Sequence, residues 1–270
     1  MTLASTTTAA ATLPRPRLWG VSRYEVAGQL VYFEVDWDDW RRDVAWARAM
    51  LADHGVGPVQ GDGPGGAPEG SGGVEAPRSR QQGGSPPCTE KARGAIRGGL
   101  VMVGGMPESP WFDPFETAAA ELGTPYSVGE IYAFEAFRTG LYAARLPITM
   151  IFGIDRTVAE GLGDELAVVV ARVPVIVARP DAVAVLAEAG ARPFIVTRVG
   201  PAVAVECPYR SGAHLNGAEW TLAQRGGELF ISTAGPRAHQ VNQAPLGLRG
   251  MLADGSCGCG RVGQRVTITE

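Results

Sequence analysis

Four side chains in the last third of the chain have the types and spacing of metal ligands. Cys207 and His214 are separated by the six-residue segment PYRSGA, and Cys257 and Cys259 flank a single glycine in DGSCGCGR. Thiolates and imidazole are ligands that Zn²⁺ takes in a tetrahedral set, and one ion can join two short chelating pairs. The sequence therefore predicts a Cys₃His zinc site formed by these four residues.

Such a site is predicted to be structural, because the protein would supply all four ligands and leave no coordination position open for water or substrate. The spacing is not that of a standard zinc finger, so the alternative is three ordinary buried thiols and a surface histidine. A disulfide between Cys257 and Cys259 is a poorer alternative, since cysteines separated by one residue close a strained ring.

The sequence offers two further candidates for functional residues, a group of aspartates and one histidine. Four carboxylates at a predicted helix start could bind Mg²⁺, but helix capping and interaction with the helix dipole explain them better; they are Asp36, Asp38, Asp39 and Asp43. His239, in GPRAHQ, could act as a general base, but no carboxylate or nucleophile is identifiable beside it. The sequence therefore assigns no catalytic and no cofactor-binding residue.

The elements that would position these residues alternate between strands and helices. A strand is predicted over 29–35, followed by a helix that Asp36 caps and whose apolar face begins at Trp37. Further strands are predicted over 100–105, 148–153, 173–178 and 193–199, and helices over 111–123, 131–146, 155–172 and 181–190. This alternation predicts an α/β fold with a parallel sheet flanked by helices.

The last seventy residues have a different pattern, with short strands predicted over 202–207, 218–224, 227–233 and 265–270. We expect a small antiparallel or barrel-like β module there, and it would carry the zinc site. The predicted organisation is a disordered leader (1–17), the start of the α/β domain (18–56), a disordered insert (57–99), the rest of the α/β domain (100–200) and the β module (201–270).

The insert is predicted from composition. Its 43 residues contain 13 Gly and 6 Pro and no aromatic residue, so it cannot bury enough apolar surface to offset the entropy of ordering. Cys88 and the only lysine of the chain, Lys91, lie within it, which makes both poor candidates for a preorganised site.

Charge and hydropathy exclude several classes of protein. The 270 residues have a net charge of −4 and no basic tract, so nucleic-acid binding is not expected. No apolar run is long enough to span a membrane, and the first residues lack the features of a signal peptide, so we expect a cytoplasmic protein. Arginine supplies 23 of the 24 basic residues, a bias typical of a GC-rich bacterial genome.

The region that carries the four metal-ligand candidates resembles the phenylacetate–CoA ligase branch of the adenylate-forming enzymes. The matching segments are GPAVAVECPYRSGAHLNGAEW (200–220), GELFIST (227–233) and DGSCGCGRVGQRV (254–266). In that branch a Glu-Cys pair, a Gly-x-His pair and a late Cys-x-Cys-Gly-Arg segment recur together, and some members hold zinc through such residues. The resemblance is weaker upstream, over 36–56 and 148–162.

The chain departs from that family at the positions that bind nucleotide. The region 18–35 contains no Ser/Thr/Gly-rich phosphate loop, Thr197 stands where the family has a Mg²⁺-binding Glu, and Gly247 stands where it has a ribose-binding Asp. The sequence stops at Glu270, without the subdomain that carries the family's catalytic Lys. Adenylation depends on these groups acting together.

The resemblance therefore implies a degenerate, zinc-stabilised binding or accessory protein. Its ligand would be a small aromatic or acyl compound, and its partner another protein or a second copy of the chain. The alternative is an acyl- or aryl-CoA ligase-type enzyme that completes its site with a partner subunit and then uses ATP, Mg²⁺ and CoA. A nonfunctional gene remnant is the third possibility, and the intact Cys₃His set argues against it.

Overall fold

The computed structural model of the chain describes residues 18–26, 29–57, 99–103, 113–124, 126–129 and 148–269. The predicted leader, most of the predicted insert and the predicted helix over 131–146 lie outside these residues. Among the described helices, none combines the length and the apolar character needed to cross a membrane.

The described strands, numbered in chain order, are β1 (Leu18–Val26), β2 (Gln29–Asp36), β3 (Gly99–Val103), β4 (Tyr126–Gly129), β5 (Ile148–Ile154), β6 (Val175–Ala178), β7 (Phe194–Val199), β8 (Ala202–Glu206), β9 (Ala213–His214), β10 (Trp220–Arg225), β11 (Glu228–Thr233), β12 (Ala244–Ala253) and β13 (Arg265–Thr269). The described helices are α1 (Trp37–Asp53), α2 (Asp113–Glu121), α3 (Arg156–Gly161), α4 (Glu165–Arg172) and α5 (Val183–Glu188). The sequence patterns did not predict β1, β4, β9 or β12.

Helix α1 begins where its sequence predicts. The Asp36 side chain accepts the Asp39 backbone N–H, and the Asp39 side chain accepts the Asp36 N–H in return, which forms a capping box. The predicted helix over 155–172 is two helices, because Gly163 adopts a positive φ of 50° and ends the first of them.

Eleven strands form one open sheet in the order β10-β11-β12-β13-β9-β8-β7-β6-β5-β3-β4, and β1 and β2 form a separate hairpin. The pairs from β4 to β7 are parallel, as predicted, and those from β7 to β10 are antiparallel. The change occurs at Gly200, whose φ of 62° turns the chain so that Val199 pairs with Ala202. The antiparallel strands therefore continue the parallel sheet rather than packing behind it.

Helices cover both faces of the parallel half. Met150 and Phe152 of β5 pack with α1 and α2 on one face, while Ile151 packs with the helices α3 to α5 on the other. This alternation follows from the two-residue period of a strand. The antiparallel half has its own core, centred on residues such as Leu229 and Ile231, which are fully buried.

The outer edge of the antiparallel half is bridged by a side chain. Gln264, just before β13, accepts the Leu222 backbone N–H at 2.6 Å and donates to the Leu222 carbonyl at 2.9 Å. The sheet curls far enough for β10 to meet the segment that leads into β13, although it does not close. This amide takes the place of a neighbouring strand at the edge.

We expect Gln264→Ala to lower the free energy of unfolding by about 1–2 kcal/mol, because two backbone groups of a buried residue lose their partners. Urea unfolding followed by circular dichroism measures the change. The control is Gln224→Ala, an exposed residue of β10, for which we expect less than about 0.5 kcal/mol. Equal losses for the two variants would contradict the bridging role.

Candidate metal centre

The four predicted ligands meet because three short strands are neighbours in the sheet. Cys207 directly follows β8, and His214 lies in β9, which pairs with β8 on one side and with β13 on the other. Cys257 and Cys259 lie in the turn between β12 and β13. The order β13-β9-β8 therefore brings together residues that are up to 52 positions apart in sequence.

The ligand atoms are arranged compactly and are largely buried. The three sulfurs and one histidine nitrogen all lie within 4.8 Å of one another. The Cys207 and Cys257 sulfurs are 3.6 Å apart, and the Cys259 sulfur is 3.5 Å from His214 Nε2. Cys207, His214 and Cys257 are buried, whereas Cys259 is partly exposed.

These distances fit a tetrahedral metal ion. With Zn–S and Zn–N bonds of about 2.3 and 2.0–2.1 Å, the ligand atoms of such an ion are about 3.8 Å apart for two sulfurs and about 3.5 Å for sulfur and nitrogen. The measured 3.6 and 3.5 Å match these edges. The donor set can therefore hold a metal ion, and soft thiolates with one imidazole suit zinc.

The thiols differ in their readiness to lose a proton. Burial, only partly opposed by a hydrogen bond from the Tyr209 backbone, raises the pKa of Cys207 to about 12. Burial also acts to raise the pKa of Cys257, but hydrogen bonds from the Cys259 backbone and the Ser211 hydroxyl outweigh it and lower that pKa to about 5. Thiols bind zinc as thiolates, so metal binding would release the protons that the cluster still holds.

Polar neighbours hold both ligand turns in place. Ser211 Oγ lies 3.0 Å from the Cys257 sulfur, and Arg265 Nη1 donates to Ser211 Oγ at 3.3 Å. In the first turn, the Arg210 guanidinium lies 3.9 Å from the centre of the Phe194 ring and donates to the Pro193 carbonyl at 2.6 Å. These contacts orient the ligands before any ion binds.

The same region is attached to the end of helix α1. Arg261 pairs with Asp53 at 2.9 Å, and His54 Nε2 lies 2.8 Å from the Glu206 carbonyl, next to Cys207. Burial lowers the pKa of His54, so the ring is neutral and donates through Nε2. Glu206 itself accepts the Ile195 backbone N–H at 3.2 Å, so its carboxylate links β8 to β7.

Gly258 is required by the packing of the Cys-Gly-Cys turn. A Cβ atom at this position would overlap the ring of Tyr209. We expect Gly258→Ala to weaken zinc binding about tenfold, which corresponds to about 1.4 kcal/mol, because the turn must shift away from the ring. Competition with a chromophoric chelator measures the affinity.

Two variants control for this effect. Gly217→Ala places its Cβ in open space and is expected to bind zinc as the native chain does. The double variant Tyr209→Ala/Gly258→Ala removes the obstructing ring and is expected to recover most of the lost affinity. If the double variant binds zinc as weakly as Gly258→Ala alone, the steric explanation is wrong.

The predicted acidic cluster does not form an open metal site. Asp36 caps α1 and Asp38 pairs with the exposed Arg41, whereas Asp39 and Asp43 face Arg237 in the interior. The interpretation as capping residues therefore holds for Asp36 and Asp39, which form the capping box, while Asp39 and Asp43 also have a role that sequence reasoning missed.

That role is an internal ion network around Arg237, whose side chain is 2% exposed. Its guanidinium donates to both Asp43 carboxylate oxygens at 2.9 and 2.8 Å and to Glu219 at 3.1 Å. Burial acts to lower the pKa of Arg237, but hydrogen bonds and charge from Asp43 outweigh it and raise the pKa. Arg42 adds a second cation, 2.7 Å from Glu219.

The network fixes the 235–240 turn to the start of α1. The Ala238 backbone N–H donates to Asp39 at 3.1 Å, and the ring of His239 lies 4.8 Å from that of Phe33. No carboxylate hydrogen bond to His239 is present among the described residues, so the turn offers no support for a general base. No sequence signal could have revealed this network, because Arg237 and the Asp43 carboxylate are 194 positions apart in the chain.

The chain matches no family model and no curated protein sequence. Among solved structures it is similar to 2-hydroxyisobutyryl-CoA ligase in an open conformation with 2-HIB-AMP and CoA, with a TM-score of 0.57 and 13% identity over 94% of this chain and 57% of that one. The same ligase in the postadenylation state with R3-HIB-AMP gives a TM-score of 0.59, 11% identity and coverages of 94% and 51%. The chain has the fold of the adenylate-forming acyl-CoA ligases. It spans about half the length of these ligases.

Proposed function

We propose that the chain is a zinc-stabilised binding or accessory protein built on the acyl-CoA ligase fold and related to the phenylacetate–CoA ligase branch. The convergence of Cys207, His214, Cys257 and Cys259 within 4.8 Å of one another carries this proposal. All four ligands come from the protein, so the ion has no open position and serves to fasten two turns together.

The resemblance places non-acidic residues at two positions that serve nucleotide chemistry in the family. Thr197 lies in β7, is buried and pairs with Ala204, and Gly247 lies in β12 with a φ of 64°. Thr197 has no carboxylate with which to ligate Mg²⁺, and Gly247 has no side chain to accept a hydrogen bond from a ribose hydroxyl. Loss of these interactions argues against autonomous adenylation, which depends on preorganised charge.

The ligand in this proposal is a small aromatic or acyl compound. The similar ligase structures contain acyl-AMP and CoA molecules, and a pocket for the acyl portion is the part of such a site that needs apolar walls rather than catalytic charge. A protein partner or a second copy of the chain would receive or protect this ligand. We further propose that the protein is bacterial and cytoplasmic.

Titration calorimetry tests the loss of nucleotide binding. ATP with Mg²⁺ is titrated into the zinc-loaded chain with and without aryl acids, and 2-hydroxyisobutyryl-CoA ligase is the positive control. We expect no Mg²⁺-dependent heat from ATP, and binding of an aryl or acyl compound that does not depend on ATP. Clear Mg²⁺-dependent ATP binding by the chain alone would overturn the proposal.

A second candidate function is an acyl- or aryl-CoA ligase-type enzyme completed by a partner subunit, using ATP, Mg²⁺ and CoA. The similarity to acyl-CoA ligase structures in complex with 2-HIB-AMP and CoA or with R3-HIB-AMP favours it. A copurifying subunit that confers ATP–pyrophosphate exchange on the complex would support this function. A chain that purifies alone, or a complex without exchange, would contradict it.

A further inference from the structure

Two of the clustered thiols are in near contact without being neighbours in sequence. The Cys207 and Cys257 sulfurs are 3.6 Å apart and belong to different turns, one after β8 and one between β12 and β13. A disulfide needs a sulfur separation of about 2.05 Å, so the two turns would have to close by only about 1.5 Å to form one.

We propose that this cluster is also an oxidant-responsive site, in which hydrogen peroxide converts Cys207 and Cys257 to a disulfide and expels the ion. The inference rests on the proposed zinc site and adds a chemical reaction to it. Metal-bound thiolates remain nucleophiles, and their oxidation removes the charge that holds the ion.

The reaction balances with one molecule of peroxide. The Cys257 thiolate attacks one peroxide oxygen, so that an S–O bond forms, the O–O bond breaks and hydroxide leaves. The Cys207 thiolate then attacks the Cys257 sulfur, an S–S bond forms, and a second hydroxide leaves. Two thiolates are oxidised by one electron each, peroxide is reduced by two electrons, and the two hydroxide ions that leave take up protons from acids of the buffer.

The surroundings of the cluster favour this pair of thiols. Cys257 is 6% exposed and Cys207 is fully buried, so we expect a small oxidant to reach Cys257 first and Cys207 to react second. Pairing of Cys259 with Cys257 would close a strained ring across one residue. After oxidation only Cys259 and His214, with ligand atoms 3.5 Å apart, would remain, and two ligands do not retain an ion against water.

Loss of the ion is expected to destabilise the end of helix α1. The metal turn is attached to α1 through Arg261 and Asp53, and the segment next to Cys207 is attached through the His54 contact with the Glu206 carbonyl. Because oxidation would move both turns, it would disturb the Arg261–Asp53 ion pair and the His54 hydrogen bond. We therefore expect faster amide hydrogen exchange at the end of α1 as well as in the two turns.

The experiment uses the full zinc-loaded chain carrying Cys88→Ser, which removes the one cysteine that is not among the predicted ligands. Peroxide is added in the presence of a zinc-sensitive dye, and linked peptides are identified by mass spectrometry with fragmentation between Cys257 and Cys259. We expect release of about one zinc per chain, a Cys207–Cys257 linkage with Cys259 still alkylatable, and recovery of zinc binding after treatment with a dithiol.

The failure of this inference can be told apart from the failure of the zinc site. If the purified, reduced chain holds no zinc at all, the proposed metal centre is wrong. If zinc is held but survives peroxide, or if release comes with sulfinic acid at Cys259 or a Cys257–Cys259 linkage instead, the metal centre stands and the redox inference is overturned.

Discussion

Replacing Cys257 by serine is expected to reduce the zinc content of the purified chain from about one ion to none. A neutral hydroxyl cannot replace the thiolate, and the remaining three ligands must then bind the ion alone. At free zinc a thousandfold above the dissociation constant, the bound ion adds about 4 kcal/mol to the free energy of unfolding. We expect the variant to lose that contribution, which corresponds to a fall in Tm of roughly 8–16 °C for a chain of this size.

Elemental analysis and calorimetric melting measure these two effects. Cys88→Ser is the matched control, since it removes a thiol that the sequence places outside the ligand set, and it is expected to keep both zinc and Tm. A chelator should lower the Tm of the native chain to that of Cys257→Ser and leave the variant unchanged. If Cys257→Ser retains a full equivalent of zinc, Cys257 is not a ligand.

Arg237→Ala is expected to lower the free energy of unfolding by about 3–5 kcal/mol, because it removes the cation at the centre of a largely buried ion network. Asp43 loses the cation with which it pairs, and Asp39 and Glu219, which are at most 2% exposed, keep only Arg42. The Arg237 guanidinium also lies 4.7 Å from the centre of the Trp220 ring, so packing is lost together with charge. Urea unfolding measures the change.

Arg41→Ala is the control for Arg237→Ala, because it removes the same charge from an exposed ion pair with Asp38 on α1, and we expect it to cost less than about 1 kcal/mol. The pH dependence provides a second check. Burial already raises the pKa of Asp43, and Arg237 opposes this rise through a hydrogen bond and its charge. Without Arg237 that pKa should rise further, so the variant should lose stability as the pH rises through it. Its deficit relative to the native chain should therefore shrink in acid. If the two variants lost equal free energy of unfolding, the proposed stabilising role of the buried ion network would be wrong.

Local sequence patterns were sufficient for many of the elements and for the ligand candidates. Asp36 as a helix cap, the strand over 148–153 and the parallel arrangement follow from short-range rules, and the structure confirms them. The Cys207–His214 and Cys257–Cys259 pairs were recognisable because each is a chelating pair within one turn. Whether they bind zinc remains a prediction.

Other features could not be derived in this way. Strand β12 has a buried residue only at every fourth position and two glycines, so it lacks the alternation that identifies a strand. Gln264 and Arg237 act on residues 42 and 194 positions away, and nothing in their own neighbourhood indicates the partner.

The sequence by itself determined which side chains can act as ligands and which of the more regularly patterned segments form strands and helices, because both depend on chemistry and periodicity within a few residues. Only the tertiary structure decided that β9 lies between β8 and β13, which brings Cys207 and His214 to the Cys-Gly-Cys turn. The order of strands in a sheet is set by long-range burial and hydrogen bonding, whose energy is shared among many residues. No short segment of the chain contains that information.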